Sequence, residues 1–311
     1  MKPIQNNIIV IPCKDDYEGK VIATLIETTE KSSNHAIIHI HGFCDYYFHD
    51  HVAEKFNQSG VDFYALELRK YGNSKLTHQH YFYCRNIEEY FEEITHAIAI
   101  LEKKGYGKIS LMGHSTGGLI TSMYMQKGEK RNKINSMILN SPFFEFPLPP
   151  FLKKILPVMS NLMSKIFPFS YDFLADHEIG NLYIQSLHAS YKGEWNFFIS
   201  VKQGTNIVHY AWAYAVHQAQ RILQKGLNLT IPILVLHSDK SLQTNKWRDD
   251  ILTKDLVLNV KDMKLYGPKL GSKVTLIEIK NGMHDLFLSK REVREEAINK
   301  SIDWLKNVSN D

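Results

Sequence analysis

The sequence predicts an α/β protein: a mostly parallel central sheet with helices on both faces and a helical insertion ahead of its last two strands. Three observations carry this reading. Between Ala36 and Leu139, short apolar runs alternate with amphipathic stretches, an order that calls for parallel strands joined by crossover helices. At Phe143 the alternation stops, and Pro147, Pro149, Pro150, Pro157 and Pro168 punctuate a run rich in Phe, Leu, Ile and Met. At Ile231 the strand pattern resumes.

Taken in order, Ile8–Ile11 and Val21–Ile26 are β-branched runs either side of a polar, Gly-containing stretch, which suggests an antiparallel pair. Ala36–Ile40 is the next strand, followed at once by His41-Gly42-Phe43. A glycine at a strand's end lets the next backbone N–H point into a site, so the function there falls to the Phe43 N–H, and the His41 side chain reads as a loop brace. His49–Gln58 is a helix stopped by Gly60, Val61–Leu68 a strand, and Arg69–Ser74 a loop. Ile87–Lys104 repeats apolar residues on one helical stripe with glutamates opposite. Ile109–Met112 is a short buried strand, Gly117–Gln126 a helix and Ile134–Leu139 a strand.

In the insertion, Leu152, Ile155, Leu156, Met159, Leu162, Met163 and Ile166 fall at helical spacing, and Asn206–Leu223 is a second helical stretch. Strands follow at Ile231–His237 and Val274–Ile279, with a helix at Val260–Tyr266 between them and a terminal helix at Lys290–Lys306. Residues 1–142 and 230–311 therefore form the core domain, and 143–229 a helical cap above the sheet's C-terminal edge.

Composition narrows the function classes. The chain has 311 residues, 44% hydrophobic and 23% charged, and a formal net charge of +4 with Lys and Arg scattered, which gives nucleic-acid binding no support. Cys13, Cys44 and Cys84 are widely spaced, without a zinc or redox pair, and read as free structural thiols. No stretch is long and apolar enough to span a bilayer, and the N-terminus lacks a cleavage pattern, so the expected location is cytoplasmic.

The chemistry concentrates in Gly113-His114-Ser115-Thr116-Gly117, a G-x-S-x-G pentapeptide where a strand turns straight into a helix. Such a turn presents Ser115 Oγ at the sheet's edge, beside helix N–H groups able to receive an oxyanion. The bland alternative is a tight turn with an incidental serine. A hydroxyl needs a base held in one tautomer by a carboxylate, and in this architecture the acid and then the histidine follow the serine in the chain. His284, in Gly282-Met283-His284-Asp285 after the last strand, is the one late histidine. Asp239 and Asp255 are the candidate acids. Asp239 sits just past a strand, within reach of such a histidine.

Strand-HGF, LRKYGNS, GHSTGG, a helical insertion and the late GMHDL together resemble the α/β-hydrolase fold family. Within it they resemble the branch of monoacylglycerol lipases, lysophospholipases and serine aminopeptidase-like enzymes, over Ala36 to Leu305. The resemblance implies a Ser115–Asp–His284 triad, oxyanion donors at the Phe43 and Thr116 N–H groups, and neither metal nor cofactor. It favours Asp255, because Asp255-Leu-Val-Leu-Asn-Val-Lys-Asp-Met matches the family's acid segment if Ser238–Lys254 is an insertion. The chain departs at Glu67, where the family often has Asp, and at Arg69-Lys70-Tyr71-Gly72, where it has Gly-x-Gly; both departures are expected to affect packing alone.

The implied partner is a small-molecule acyl ester of monoacylglycerol or lysophospholipid type, with Phe146 and Phe151 as substrate-binding candidates near the cap's base. Contact with a membrane surface is compatible with the apolar cap. Amide or peptide cleavage uses the same machinery, and some hydrolase-like chains only bind ligands.

Overall fold

A computed structural model describes residues 6–171, 177–203 and 207–310. Asn206, the first residue of the second helical stretch expected in the insertion, lies outside them. Eight strands form one sheet: β1 (Asn7–Asp16), β2 (Gly19–Glu27), β3 (His35–Ile40), β4 (Asp62–Glu67), β5 (Lys108–His114), β6 (Ile134–Asn140), β7 (Ile233–Ser238) and β8 (Val274–Ile279), in the order β1-β2-β4-β3-β5-β6-β7-β8. β1 pairs antiparallel with β2, and β2 with β4; every later pairing is parallel. The β1–β2 pair outruns its apolar signal, because the polar residues between the two runs extend the ladder through a register shift between Cys13 and Asp16.

The alternation of side chains along the strands divides the core in two. Ile109 and Leu111 of β5, Met137 and Leu139 of β6, and Ile233 and Val235 of β7 face one side. There they meet α2 (Phe91–Lys103), α3 (Thr116–Lys127), α7 (Tyr210–Leu223) and α8 (Val260–Tyr266), through Ile94, Leu119, Val216 and Met263. Met112, Ile138, Leu234 and Leu236 face the other side, against α1 (Asp50–Gln58) and α9 (Arg291–Asn310), through Val52, Phe56, Ile298 and Leu305. Burial on both faces explains why these strands read as continuous apolar runs. Truncating a fully buried member such as Leu305 to Ala would cost about 2–5 kcal/mol.

The amphipathic stretch at Ile87–Lys104 starts as a 3-10 turn, Ile87–Tyr90, capped reciprocally by Asn86 and Glu89, before α2 proper. Between β6 and β7 come α4 (Pro150–Ile166), α5 (His177–Leu187), α6 (Ile199–Gln203) and then α7; α5 and α6 have no counterpart in the sequence reading. After β7 the chain makes a long excursion. Leu242 N–H donates to Asp255 O at 2.8 Å and Asp255 N–H to Lys240 O at 2.9 Å, which closes its neck. Its Leu242 and Ile251, with Leu256, pack on Leu182 of α5 rather than on the sheet.

The Glu67 departure has a structural consequence. Its buried carboxylate accepts from Tyr47 N–H at 3.1 Å and Asn73 N–H at 2.7 Å, joining two loops at the sheet's C-terminal edge. Chain order reverses at β3, which lies between β4 and β5, so the ends of β3 and β5 flank a crevice at a topological switch point.

Candidate active site

Ser115 stands between β5 and α3 at φ +51°, ψ −117°, a left-handed backbone that costs a non-glycine residue about 1–3 kcal/mol. Its surroundings hold it there. Ser115 N–H donates to Asn140 O at 3.0 Å, and Ser115 O accepts from the N–H groups of Gly118 and Phe143 at 2.9 and 3.0 Å. The turn also needs bare backbone at Gly117, where a Cβ would lie 2.3 Å from Ile40 O and 2.4 Å from His41 O. Gly42 passes so close that a Cβ would stand 3.1 Å from Ser115 Cβ.

His284 Nε2 lies 3.1 Å from Ser115 Oγ, and His284 Nδ1 lies 3.0 Å from Asp255 Oδ2. The carboxylate can only accept, so the proton sits on Nδ1 and Nε2 is free to take one from the serine. Asp255 and His284 are buried, and Ser115 is nearly so. Asp255 Oδ1 accepts from Val257 and Leu258 N–H at 2.9 and 2.8 Å, which leaves Oδ2 for the histidine. Asp239 instead accepts from Asn281 N–H at 2.8 Å and pairs with the exposed Lys240 at 3.5 Å.

The Phe43 N–H follows β3 on the loop whose Gly42 passes beside Ser115, and the Thr116 N–H opens α3, where first-turn N–H groups have no intrahelical acceptor. His41 braces the first of these: its Nδ1–H donates to Gly42 O at 2.8 Å, and its Nε2 accepts from Leu68 N–H at 3.1 Å.

Beside Ser115 and His284 is a buried polar network that the sequence reading did not find. Asp285 accepts from Asn140 Nδ2 at 2.7 Å, His49 Nε2 at 2.9 Å and Phe287 N–H at 3.0 Å. Burial alone would push its carboxyl up, but His114, His49 and Asn140 outweigh that and hold it well below the usual carboxylate range. Burial pushes His114 down to about 4, against the opposing pull of Asp285, and its ring lies 4.9 Å from that of His284. Tyr183 of α5 places its ring 5.7 Å from His284 and accepts from Asp285 N–H at 3.2 Å. Nearby, Lys202 of α6 reaches Asp45 at 2.8 Å, both side chains being buried.

An aromatic wall starts from the Phe43 side chain of the loop after β3. Phe43 and Trp212 have ring centroids 4.0 Å apart, Phe143 stacks on Trp212 at 6.4 Å, and Phe146 meets Phe143 edge-on at 4.9 Å. Phe146 thus joins this wall. Phe151, on α4, is 70% exposed and stands apart from it, because the first turn of α4 turns that side chain to solvent. Among the described residues, no group of three or more His, Cys, Asp or Glu side chains is placed to hold a metal ion.

The sequence matches the model of a family described as serine aminopeptidase, S33, over residues 31–290. No curated protein matches it. Among solved structures it resembles a soluble variant of monoglyceride lipase from Saccharomyces cerevisiae bound to a substrate analogue, with TM-score 0.68, 15% identity, and 98% of this chain and 97% of that one covered. It also resembles a thermostable carboxyl esterase from Bacillus coagulans in complex with glycerol, with TM-score 0.68, 15% identity, and coverage of 97% and 98%. A third is the monoacylglycerol lipase of Paleococcus ferrophilus, with TM-score 0.63, 16% identity, and coverage of 98% and 100%. At such identities the likeness establishes the α/β-hydrolase fold alone.

Proposed function

We propose that this chain, which belongs to the serine aminopeptidase (S33) family, is a serine hydrolase that cleaves carboxylic esters with an apolar acyl group. The observation that carries the reading is the continuous hydrogen-bond chain Asp255–His284–Ser115. Ser115 Oγ attacks the ester carbonyl as His284 Nε2 takes its proton; Asp255 steadies the imidazolium, and the Phe43 and Thr116 N–H groups receive the oxyanion. His284 then protonates the departing alcohol, and water repeats the sequence to free the acid.

Residues 143–229 supply the cap in this reading, over the core of 1–142 and 230–311, although α7 within them packs on the sheet as part of that core. The acyl chain lies along Phe43, Trp212, Phe143 and Phe146. Each methylene buried there is worth up to about 0.8 kcal/mol, so kcat/KM rises at most about threefold to fourfold per methylene until the wall is covered.

A lipid surface is the proposed source of substrate. Most of the exposed large hydrophobic side chains among the described residues fall between Phe151 and Phe198. On α4 they are Phe151, Leu152, Ile155, Val158, Met159, Leu162 and Ile166, while its only charged residues are Lys153, Lys154 and Lys165. An apolar helix face with basic flanks and no acids suits an anionic bilayer.

The family's name offers amide cleavage as the second reading, since the same triad serves both reactions. One experiment separates them: a fluorophosphonate labelling assay, with nitrophenyl esters of rising length and aminoacyl anilides, on wild type and Ser115→Ala. The proposal expects a single label at Ser115, ester turnover that outpaces anilide turnover, and at least about a thousandfold loss in the variant. Faster anilide cleavage transfers the assignment to the amidase class, and labelling that survives in Ser115→Ala overturns both.

A further inference from the structure

We propose that Lys202 is a positioning residue for the oxyanion hole, fixing the Gly42–Tyr46 loop through Asp45. This rests on the roles given above to Ser115 and the Phe43 N–H. The Phe43 N–H has to meet the oxyanion at hydrogen-bond distance, so the loop that carries it must be held at both ends. At the near end His41 does this, through Gly42 O and Leu68 N–H. The far end lies in no strand or helix; just past it Glu67 of β4 holds the Tyr47 N–H at 3.1 Å, and the turn at Cys44–Tyr46 itself is left to other contacts. Cys44 there is in the left-handed region at φ +52°, and Asp45 Oδ1 accepts from the next N–H, Tyr46, at 2.9 Å.

That same Oδ1 takes the Lys202 ammonium at 2.8 Å. The lysine comes from α6, more than 150 residues along the chain, and its Nζ lies among the rings of Phe48, Phe197 and Tyr183, at 5.0, 5.6 and 6.0 Å from their centroids. Two further contacts stitch the same segments together: Phe198 N–H donates to Tyr46 Oη at 2.7 Å, and the Phe48 and Phe197 rings lie 5.2 Å apart. Burial would raise the Asp45 carboxyl, yet Lys202, with His49 and His114, holds it below its ordinary value, so it is the ionised form that grips the turn.

Two apolar side chains would stabilise a buried contact at least as well as an ion pair does. A charged pair differs in fixing direction: the ammonium aims the carboxylate, and the carboxylate aims the turn. Through it, the helices between β6 and β7 set the placement of a backbone donor in the β3 loop. With Lys202 gone, Asp45 keeps a buried charge without its closest counter-ion, and the turn relaxes around it.

The test uses the full-length chain as wild type, Lys202→Met, Asp45→Asn and the double variant. Four quantities are read: kcat and KM on a short nitrophenyl ester, Ki for a boronic acid that forms the tetrahedral adduct, and melting temperature. Lys202→Met is expected to lose about 10- to 100-fold in kcat with KM within about threefold, and boronate affinity should fall in parallel. The double variant leaves no buried charge unpaired, so its melting temperature should return toward wild type while kcat and boronate affinity stay low.

A kcat that recovers together with melting temperature in the double variant overturns the proposal, since the pair would then be only a structural strut. So does a boronate affinity unchanged in Lys202→Met. Should Lys202→Met fail to fold, the double variant against wild type carries the same comparison. Loss of wild-type turnover or of Ser115 labelling would instead count against the functional reading itself.

Discussion

Replacing Asp255 with Asn tests the site at its least obvious member. The substitution changes one oxygen to an amide nitrogen, and the surroundings decide which position the nitrogen takes. If it replaced Oδ1, its N–H groups would oppose the Val257 and Leu258 N–H groups, now 2.9 and 2.8 Å away. Two buried donors left without an acceptor cost about 1–3 kcal/mol each. If it replaces Oδ2, it faces His284 Nδ1, which can shed its proton to Nε2 at little cost. The second arrangement wins, and Nε2 then carries a hydrogen and cannot accept the one on Ser115 Oγ.

For a triad trapped in that tautomer the expected loss in kcat is about 10⁴-fold, or about 5.4 kcal/mol of transition-state stabilisation. Melting temperature should change little, because both backbone hydrogen bonds survive. The assay is ester turnover under saturating substrate, with circular dichroism melts as the control for folding. Asp239→Asn, whose carboxylate meets Asn281 N–H and Lys240 instead, is the matched comparison and should stay within about threefold of wild type. An Asp255→Asn enzyme that retains a tenth of its activity refutes the reasoning.

Stability should fall in mild acid. His35, His51, His114 and His209 are each pushed down to about 4, by burial first, while an unfolded histidine titrates near 6.5. Between those values the unfolded chain binds more protons, so stability rises with pH from about 4 to 6.5 and this contribution is flat above, with a slope of up to about 1.4 kcal/mol per pH unit for each histidine. Urea midpoints measured across pH 4 to 8 check it, and a midpoint that does not move below pH 6.5 would contradict the burial of these rings. Phe151→Glu/Val158→Glu should cut co-sedimentation with phosphatidylglycerol vesicles at least about tenfold while leaving turnover of a soluble short-chain ester within about twofold. Undiminished co-sedimentation would rule α4 out as the contact. Gly117→Ala should lower the melting temperature sharply or prevent folding, since its methyl would meet Ile40 O and His41 O, and a wild-type melt would show that the turn is looser than described.

How far the site could be read from the sequence follows from the range of each contact. Ser115 and His284 were accessible because local patterns mark them: a strand-turn-helix around one, a post-strand loop around the other. Asp255 was different. The closed excursion separates it from β7, so spacing alone left Asp239 in contention, and the resemblance to known hydrolases supplied the preference. The pairs that surround these three residues have no local signature at all: His49 and Asp285 lie 236 residues apart, and nothing near either one marks the other. The parallel strands were legible because burial on both faces leaves unbroken apolar runs, whereas α5 and α6 were not, because they pack on loops and so lack a full core-facing stripe. Phe151 illustrates the same limit, since helical periodicity marks an apolar face without saying what covers it.

The excursion after β7 has an implication for descent. Leu242, Ile251 and Leu256 are the floor on which Leu182 of α5 rests, and α5 in turn carries Tyr183 against His284. The two segments are far apart in the chain, yet each buries apolar side chains of the other. A lineage that shortened the loop would uncover Leu182 on α5, and one that replaced α5 would leave the loop's apolar residues bare. Insertions and deletions in them should therefore be inherited together, so that among homologues the length of the loop between Lys240 and Asp255 should track the identity of the residue at Leu182.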